Sequence, residues 1–178
     1  MKPEGPIPII WVKAQELKLE FLVAGGHAVI SHGAPRNTFD LDLVISREER
    51  TGWVNLMTAI GYSIFSENPN FAQFSYPEAA KMSVDLILVS HETFEKLMAA
   101  AVPAPSFPLG VKVVSLMHLL AMKCHAIKFG HLGRLEKDLN DVILLLKSNS
   151  LDLNQAEIKE VILKHGTPEL YEKLARSI

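Results

Sequence analysis

The sequence predicts an α+β protein, a sandwich-like arrangement in which a small mixed β-sheet carries flanking helices and a helical segment follows it. Three observations lead there. Short apolar or alternating runs (FLVAGG, DLDLVIS, YSIF, FAQFSY and SVDLILV) crowd the first half of the chain and read as strands. Later the apolar residues recur at helical spacing, in SLMHLLAMKCHAIK and RLEKDLNDVILLLKS. The connections in the middle are too short for several complete βαβ units, so hairpins fit there.

In order, residues 1–9 read as an extended, Pro-rich lead and 11–20 as a short helix. FLVAGG is a strand running into a glycine turn, HAVISHG is helical, and DLDLVIS alternates charged and apolar positions as a strand does. A helix over 47–60 stops at Gly61. ENPN and YPEAAK are turn signals between the next three strands, and HETFEKLMAA is a helix. Pro103, Pro105 and Pro108 mark a module boundary. It divides a core of residues 1–104 from a helical portion, 105–178, expected to pack on it and complete a cleft. FPLGVKVV is extended or looped, and Ser115 is placed to cap SLMHLLAMKCHAIK. RLEKDLNDVILLLKS follows, then two shorter helices around NQAEIKEVILKHG and PELYEKLARS, with Pro168 suited to a first turn.

A chain of 178 residues, 48% apolar and 21% charged, has the composition of a soluble globular protein. Its net charge of -2 makes no global case for nucleic acid or an anionic membrane as partner. Cys124 stands alone, which excludes an intrachain disulfide and a Cys-rich zinc site and points to a reducing, cytoplasmic setting. No run resembles a signal peptide or reaches bilayer length, so no membrane partner is expected.

The chemistry concentrates in GGHAVISHGAPRNTFDLDLV, residues 25–44. In a strand, Asp40 and Asp42 project from one face while Leu41 and Leu43 anchor the other. Two close carboxylates repel unless a positive charge lies between them or one takes a proton, and a divalent metal with bound phosphates resolves this. A solvated acid pair at a strand end is the bland alternative. Gly25 and Gly26 offer close backbone approach and exposed amides for phosphate oxygens, and a helix opening at His27 would add its positive end; an ordinary glycine turn competes. In SVDLILV, Asp85 interrupts an apolar strand, where burial without a partner is costly. It either completes a three-carboxylate metal centre or pairs with Arg36 or Lys123.

Arg36 is expected to brace the acidic centre or reach a phosphate. Thr38 shares strand parity with Asp40, so its hydroxyl can orient that carboxylate or merely favour the strand. Lys123 breaks an apolar helix face, with a stem long enough to snorkel toward a cleft and meet a triphosphate. Asp138 and Asp141 lie three apart on one helix face, suited to bracing Lys123 or Arg134. Residues 102–137 hold a local excess of four positive charges, with His118, His125 and His131 as further donors, a strip that admits a nucleotide or an RNA end. Cys124 reads as a small buried residue and the tryptophans as packing residues.

GG(H), then R-x-T-x-D-L-D and a separate V-D-L, resemble the signature of the nucleotidyltransferase superfamily related to DNA polymerase beta. GGHAV…G…RNTFDLDLVI with the later LLAMKCHA and KDLNDVILLL is similar to AbiEii-type and MenT-like minimal nucleotidyltransferases, over about residues 21–147. That resemblance implies a sheet of nucleotidyltransferase type. It also implies transfer of a nucleoside monophosphate from a nucleoside triphosphate such as ATP to a hydroxyl, with release of pyrophosphate. By it, Gly25 and Gly26 contact phosphates with His27, Arg36, Thr38 and Lys123 in support. Asp40 and Asp42 hold two magnesium ions, and Asp85 completes one site and helps activate the acceptor. The expected acceptor is a tRNA end or a protein hydroxyl, with small molecules such as aminoglycosides next. Toxin–antitoxin membership with an antitoxin partner is implied too, and a catalytically silent nucleotide-binding protein is the other class. Family members of the AbiEii type usually carry a small hydroxy residue where this chain has His27.

Overall fold

The computed structural model describes residues 5–77, 82–108, 110–130 and 132–178. The chain forms two units: Met1–Ser31 with Asn37–Val114, and His32–Arg36 with Ser115–Ile178.

The first unit opens on α1 (Ile7–Leu17). It starts four residues before the expected 11 because prolines are tolerated in a first turn, where no intrahelical N–H is needed. Pro6 stands at the cap and Pro8 just inside, so residues 7–9, expected to be extended, are helical; residues 1–4 lie outside the described residues. There follow β1 (Leu22–Val23), α2 (Gly25–Ser31) and β2 (Asp40–Ser46), then a 3-10 turn at Arg47–Glu49 and α3 (Arg50–Ala59). Next come β3 (Ser63–Asn68), β4 (Phe71–Ser75), β5 (Ser83–Val89), α4 (His91–Ala100), β6 (Val102–Pro103) and β7 (Lys112–Val113). The run FLVAGG contributes a strand of only two residues, and the helix expected at His27 already includes both glycines. The expected turn YPEAAK has residues 78–81 outside the described residues.

These strands form one seven-stranded mixed sheet in the order β3-β4-β5-β2-β1-β7-β6. β2 runs parallel to β5 and β1 parallel to β7; the other pairs are antiparallel. Alternation sorts the faces. Leu41, Leu43 and Ile45 of β2, Val84, Leu86 and Leu88 of β5, and Ala72 and Phe74 of β4 are all buried, at 2% exposure or less. Each such Leu, Ile or Phe contributes roughly 1.5–3 kcal/mol relative to exposure. Beyond the strands, Trp11, Phe21 and Trp53 stack edge to face, at centroid distances of 6.1 and 5.6 Å.

The second unit is helical: α5 (Leu116–Phe129), α6 (Leu132–Ser148), α7 (Ala156–His165) and α8 (Pro168–Ala175). Ser115 caps α5 as expected, its Oγ accepting from the His118 backbone N–H at 3.3 Å. Thr167 caps α8 in the same way, with Pro168 in the first turn. Leu119, Leu120, Val142, Leu145, Leu146, Ile158, Ile162 and Leu174 are buried and make this unit's core. Among the described residues, no helix is long and apolar enough to cross a membrane.

Candidate functional site

In the parallel ladder of β2 and β5, Asp42 stands directly opposite Asp85 and Asp40 opposite Ser83. Opposed residues of a ladder project from the same face, so Asp42 and Asp85 lie side by side on neighbouring strands. Both are buried, at 7% and 4% exposure. Asp40 shares their face one side-chain repeat along β2, about 6–7 Å away by strand rise. Its Oδ1 accepts a hydrogen bond from the Thr38 hydroxyl at 2.7 Å, so Thr38 orients it.

Because β1 is antiparallel to β2, the chain leaving β1 passes the start of β2. The Ala24 N–H donates to the Asp42 carbonyl at 2.9 Å, and Gly25 enters α2 with φ +54°. A Cβ on Gly25 would overlap Asp42 Oδ2. The residue is glycine for two reasons at once: a left-handed backbone and a carboxylate pressed against it. Gly25→Ala should therefore cost more than Gly33→Ala, since Gly33 also has a positive φ (+82°) but has nothing within 4 Å of a built Cβ. We expect about 1 kcal/mol at Gly33 from backbone strain and about 2–4 kcal/mol at Gly25, where overpacking is added. Urea unfolding midpoints of the two variants check this, and equal losses would refute the close approach.

His27, two residues after Gly25 on α2, packs edge-on against Phe107 at 5.7 Å. It lines a cavity of about 250 Å³ with Ile30, Met82 and Phe107.

Arg36 and Lys123 both belong to the second unit. Arg36 Nε lies 3.2 Å from Asp141 Oδ1. Lys123 Nζ donates to Asp138 Oδ1 at 2.7 Å and lies 2.7 Å from Asp141 Oδ2. All four side chains are at most 8% exposed. Of the two expected partners, Lys123 or Arg134, Asp138 and Asp141 thus brace Lys123, and Arg36 joins the cluster. Burial pushes the Cys124 thiol up to about 12, which leaves it a packing residue. Of the histidines in the basic strip, His118 contacts the Ser115 hydroxyl through Nδ1, and His131 lies outside the described residues.

As they stand, no three carboxylate, imidazole or thiol groups among the described residues are drawn together tightly enough to cage an ion. Two of the aspartates share a register position, while Asp40 is set apart with one oxygen engaged by Thr38. The donor set nonetheless suits magnesium: hard carboxylate oxygens, two of them adjacent and buried on one sheet face.

Three features of this face carry no motif in the sequence: Gln73 opposite Asp85, Ser66 opposite Gln73, and a register shift around Phe65.

No family model matches the chain, and no curated protein matches it. Solved structures do. The solution structure of the antibiotic-resistance factor ANT(2'')-Ia superposes with a TM-score of 0.63 at 15% identity, covering 96% of this chain and 94% of that one. The crystal structure of ANT(2'')-Ia in complex with adenylyl-2''-tobramycin gives 0.62 at 16% identity, over 96% and 95%. Lincomycin-bound LnuA, a lincosamide antibiotic adenylyltransferase, gives 0.58 at 15%, over 85% and 98%. The chain therefore has the α+β fold of nucleotidyltransferases, with its mixed sheet and its C-terminal helices both included in the match.

Proposed function

We propose that this protein transfers a nucleoside monophosphate from a nucleoside triphosphate to a hydroxyl group of a small molecule, releasing pyrophosphate. The observation that carries this reading is the parallel register that sets Asp42 beside Asp85, with the backbone of Gly25 against Asp42.

Asp40, Asp42 and Asp85 would hold two magnesium ions, which when bound supply charge neutralisation at the phosphates and a more acidic acceptor hydroxyl. The glycine backbone at 25 and 26 approaches the triphosphate where side chains are missing. Thr38 keeps Asp40 turned to a fixed orientation through its hydrogen bond. Asp85, held in the core-bound strand β5, receives the acceptor proton as the acceptor oxygen attacks the α-phosphorus. The new P–O bond forms on one side while the bond to the bridging oxygen breaks on the other, and pyrophosphate leaves. Arg36 and Lys123 act as braces of the second unit, since their charges are taken up by Asp138 and Asp141.

A small hydroxylated acceptor is favoured over a tRNA end or a protein hydroxyl by the likeness to ANT(2'')-Ia and LnuA, which extends over nearly the whole chain. The test is incubation with magnesium and each α-labelled nucleoside triphosphate, offering tobramycin, lincomycin, total tRNA or cellular protein. Label on tobramycin or lincomycin, lost on chelation with EDTA, is the expected result. Label on RNA or protein would keep transfer and replace the acceptor. Nucleotide binding with no pyrophosphate from any mixture would make the chain a binding module.

A further inference from the structure

The row that begins with Asp42 and Asp85 continues across two more strands. Gln73 on β4 is the register partner of Asp85, and Ser66 on β3 is the register partner of Gln73. Asp42, Asp85, Gln73 and Ser66 therefore form one line across β2, β5, β4 and β3, all on the same face. With strands about 4.8 Å apart, Ser66 lies about 10 Å from Asp85. The line opens outward: Asp85 is buried, Gln73 half-buried and Ser66 exposed. Gln73 has no part in the core, which its neighbours Ala72 and Phe74 enter from the opposite face, both at 0% exposure.

At the open end the β3–β4 pairing shifts register between Ile64 and Ser66, so Phe65 is the extra residue of a bulge. Bulges re-aim side chains and recur beside functional sites. Phe65 is 73% exposed, a large ring held in water on an edge strand.

The two flanks of the carboxylate pair differ in chemistry. Gly25 lies on the β1 side of Asp42 and offers bare backbone. The β4–β3 side offers an amide, a hydroxyl and an aromatic ring. An in-line displacement needs its attacking and leaving oxygens on opposite sides of the phosphorus, and a carboxylate pair with unlike flanks provides for both.

We propose that Gln73, with Ser66 and Phe65 beyond it, forms the acceptor subsite and takes a compound with a hydroxylated ring. This deepens the transfer reading and rests on it. The Gln73 amide fixes the hydroxyl neighbouring the one that attacks, Ser66 bonds a more distant one, and Phe65 covers the apolar face of the ring.

Steady-state kinetics with ATP and either tobramycin or lincomycin as probe test the subsite in the full chain. Phe65→Ala removes an exposed side chain and keeps the fold. It should raise the acceptor KM about tenfold, equivalent to about 1.4 kcal/mol, with the KM for ATP unchanged. Gln73→Ala should do the same. Gln73→Glu preserves shape but sets a carboxylate opposite Asp85, and should lower kcat where a merely structural glutamine would tolerate the change. If the wild type labels a probe and both alanine variants keep its acceptor KM, the subsite is wrong and transfer stands. A wild type that labels neither probe overturns the subsite, and label on total tRNA in the same series shows whether transfer survives it.

Discussion

On the proposed transfer reading, Asp42→Asn should lower kcat by at least about a thousandfold while the protein stays folded. The magnitude follows from what a carboxylate does in a buried site. Each preorganised group aimed at developing charge is worth a hundred- to a thousandfold, and a metal ligand supplies several kcal/mol of charge stabilisation. Asparagine keeps the shape that presses on Gly25 and removes only the charge. Asp42 stands in register with Asp85 and both are nearly buried, and asparagine keeps the side-chain shape there. The melting temperature without divalent cation should therefore stay close to that of the wild type. The stabilisation by magnesium and ATP together should vanish. Transfer within tenfold of wild type would remove Asp42 from the reaction.

Much of this site was visible in the sequence because it lies within single strands. DLDLV shows its alternation directly, and Asp85 shows itself as a charge interrupting SVDLILV. Their meeting required only that the two strands be neighbours. Gln73 and Ser66 were not visible: Gln73's place depends on how β4 registers against β5, and Ser66's on a bulge at Phe65 that no local pattern announces. The glycine pair reads as a turn because Gly favours turns, yet Gly25 uses its left-handed backbone to begin a helix. The prolines near the start read as extended chain for a similar reason, though a first helical turn accepts them. Lys123 stood out on its apolar helix face, and Asp138 and Asp141 stood out by spacing. Arg36 could not be joined to them by any periodicity, being separated from Asp141 by most of the chain.

That last contact yields the largest expected loss of stability. Asp141→Ala should cost about 3–5 kcal/mol, because it leaves Arg36 and Lys123 buried with Asp138 as the one remaining carboxylate of the cluster. For a chain of this length the melting temperature should fall by roughly 10 °C. The cluster's net stabilisation is nevertheless small, since four desolvated charges cost nearly what their attraction returns. Its yield is register. Asp141 holds Arg36 at one end of the 32–36 segment, while the Asn149 side chain donates to the His32 carbonyl at 3.0 Å at the other. Asp141 stands on α6 and Asn149 directly follows its last residue, so that helix and its end set the course of the 32–36 segment. Adding Arg36→Met to Asp141→Ala should recover part of the loss, because the stranded guanidinium goes with it. A double variant as unstable as the sum of its parts would show that the two side chains are not coupled.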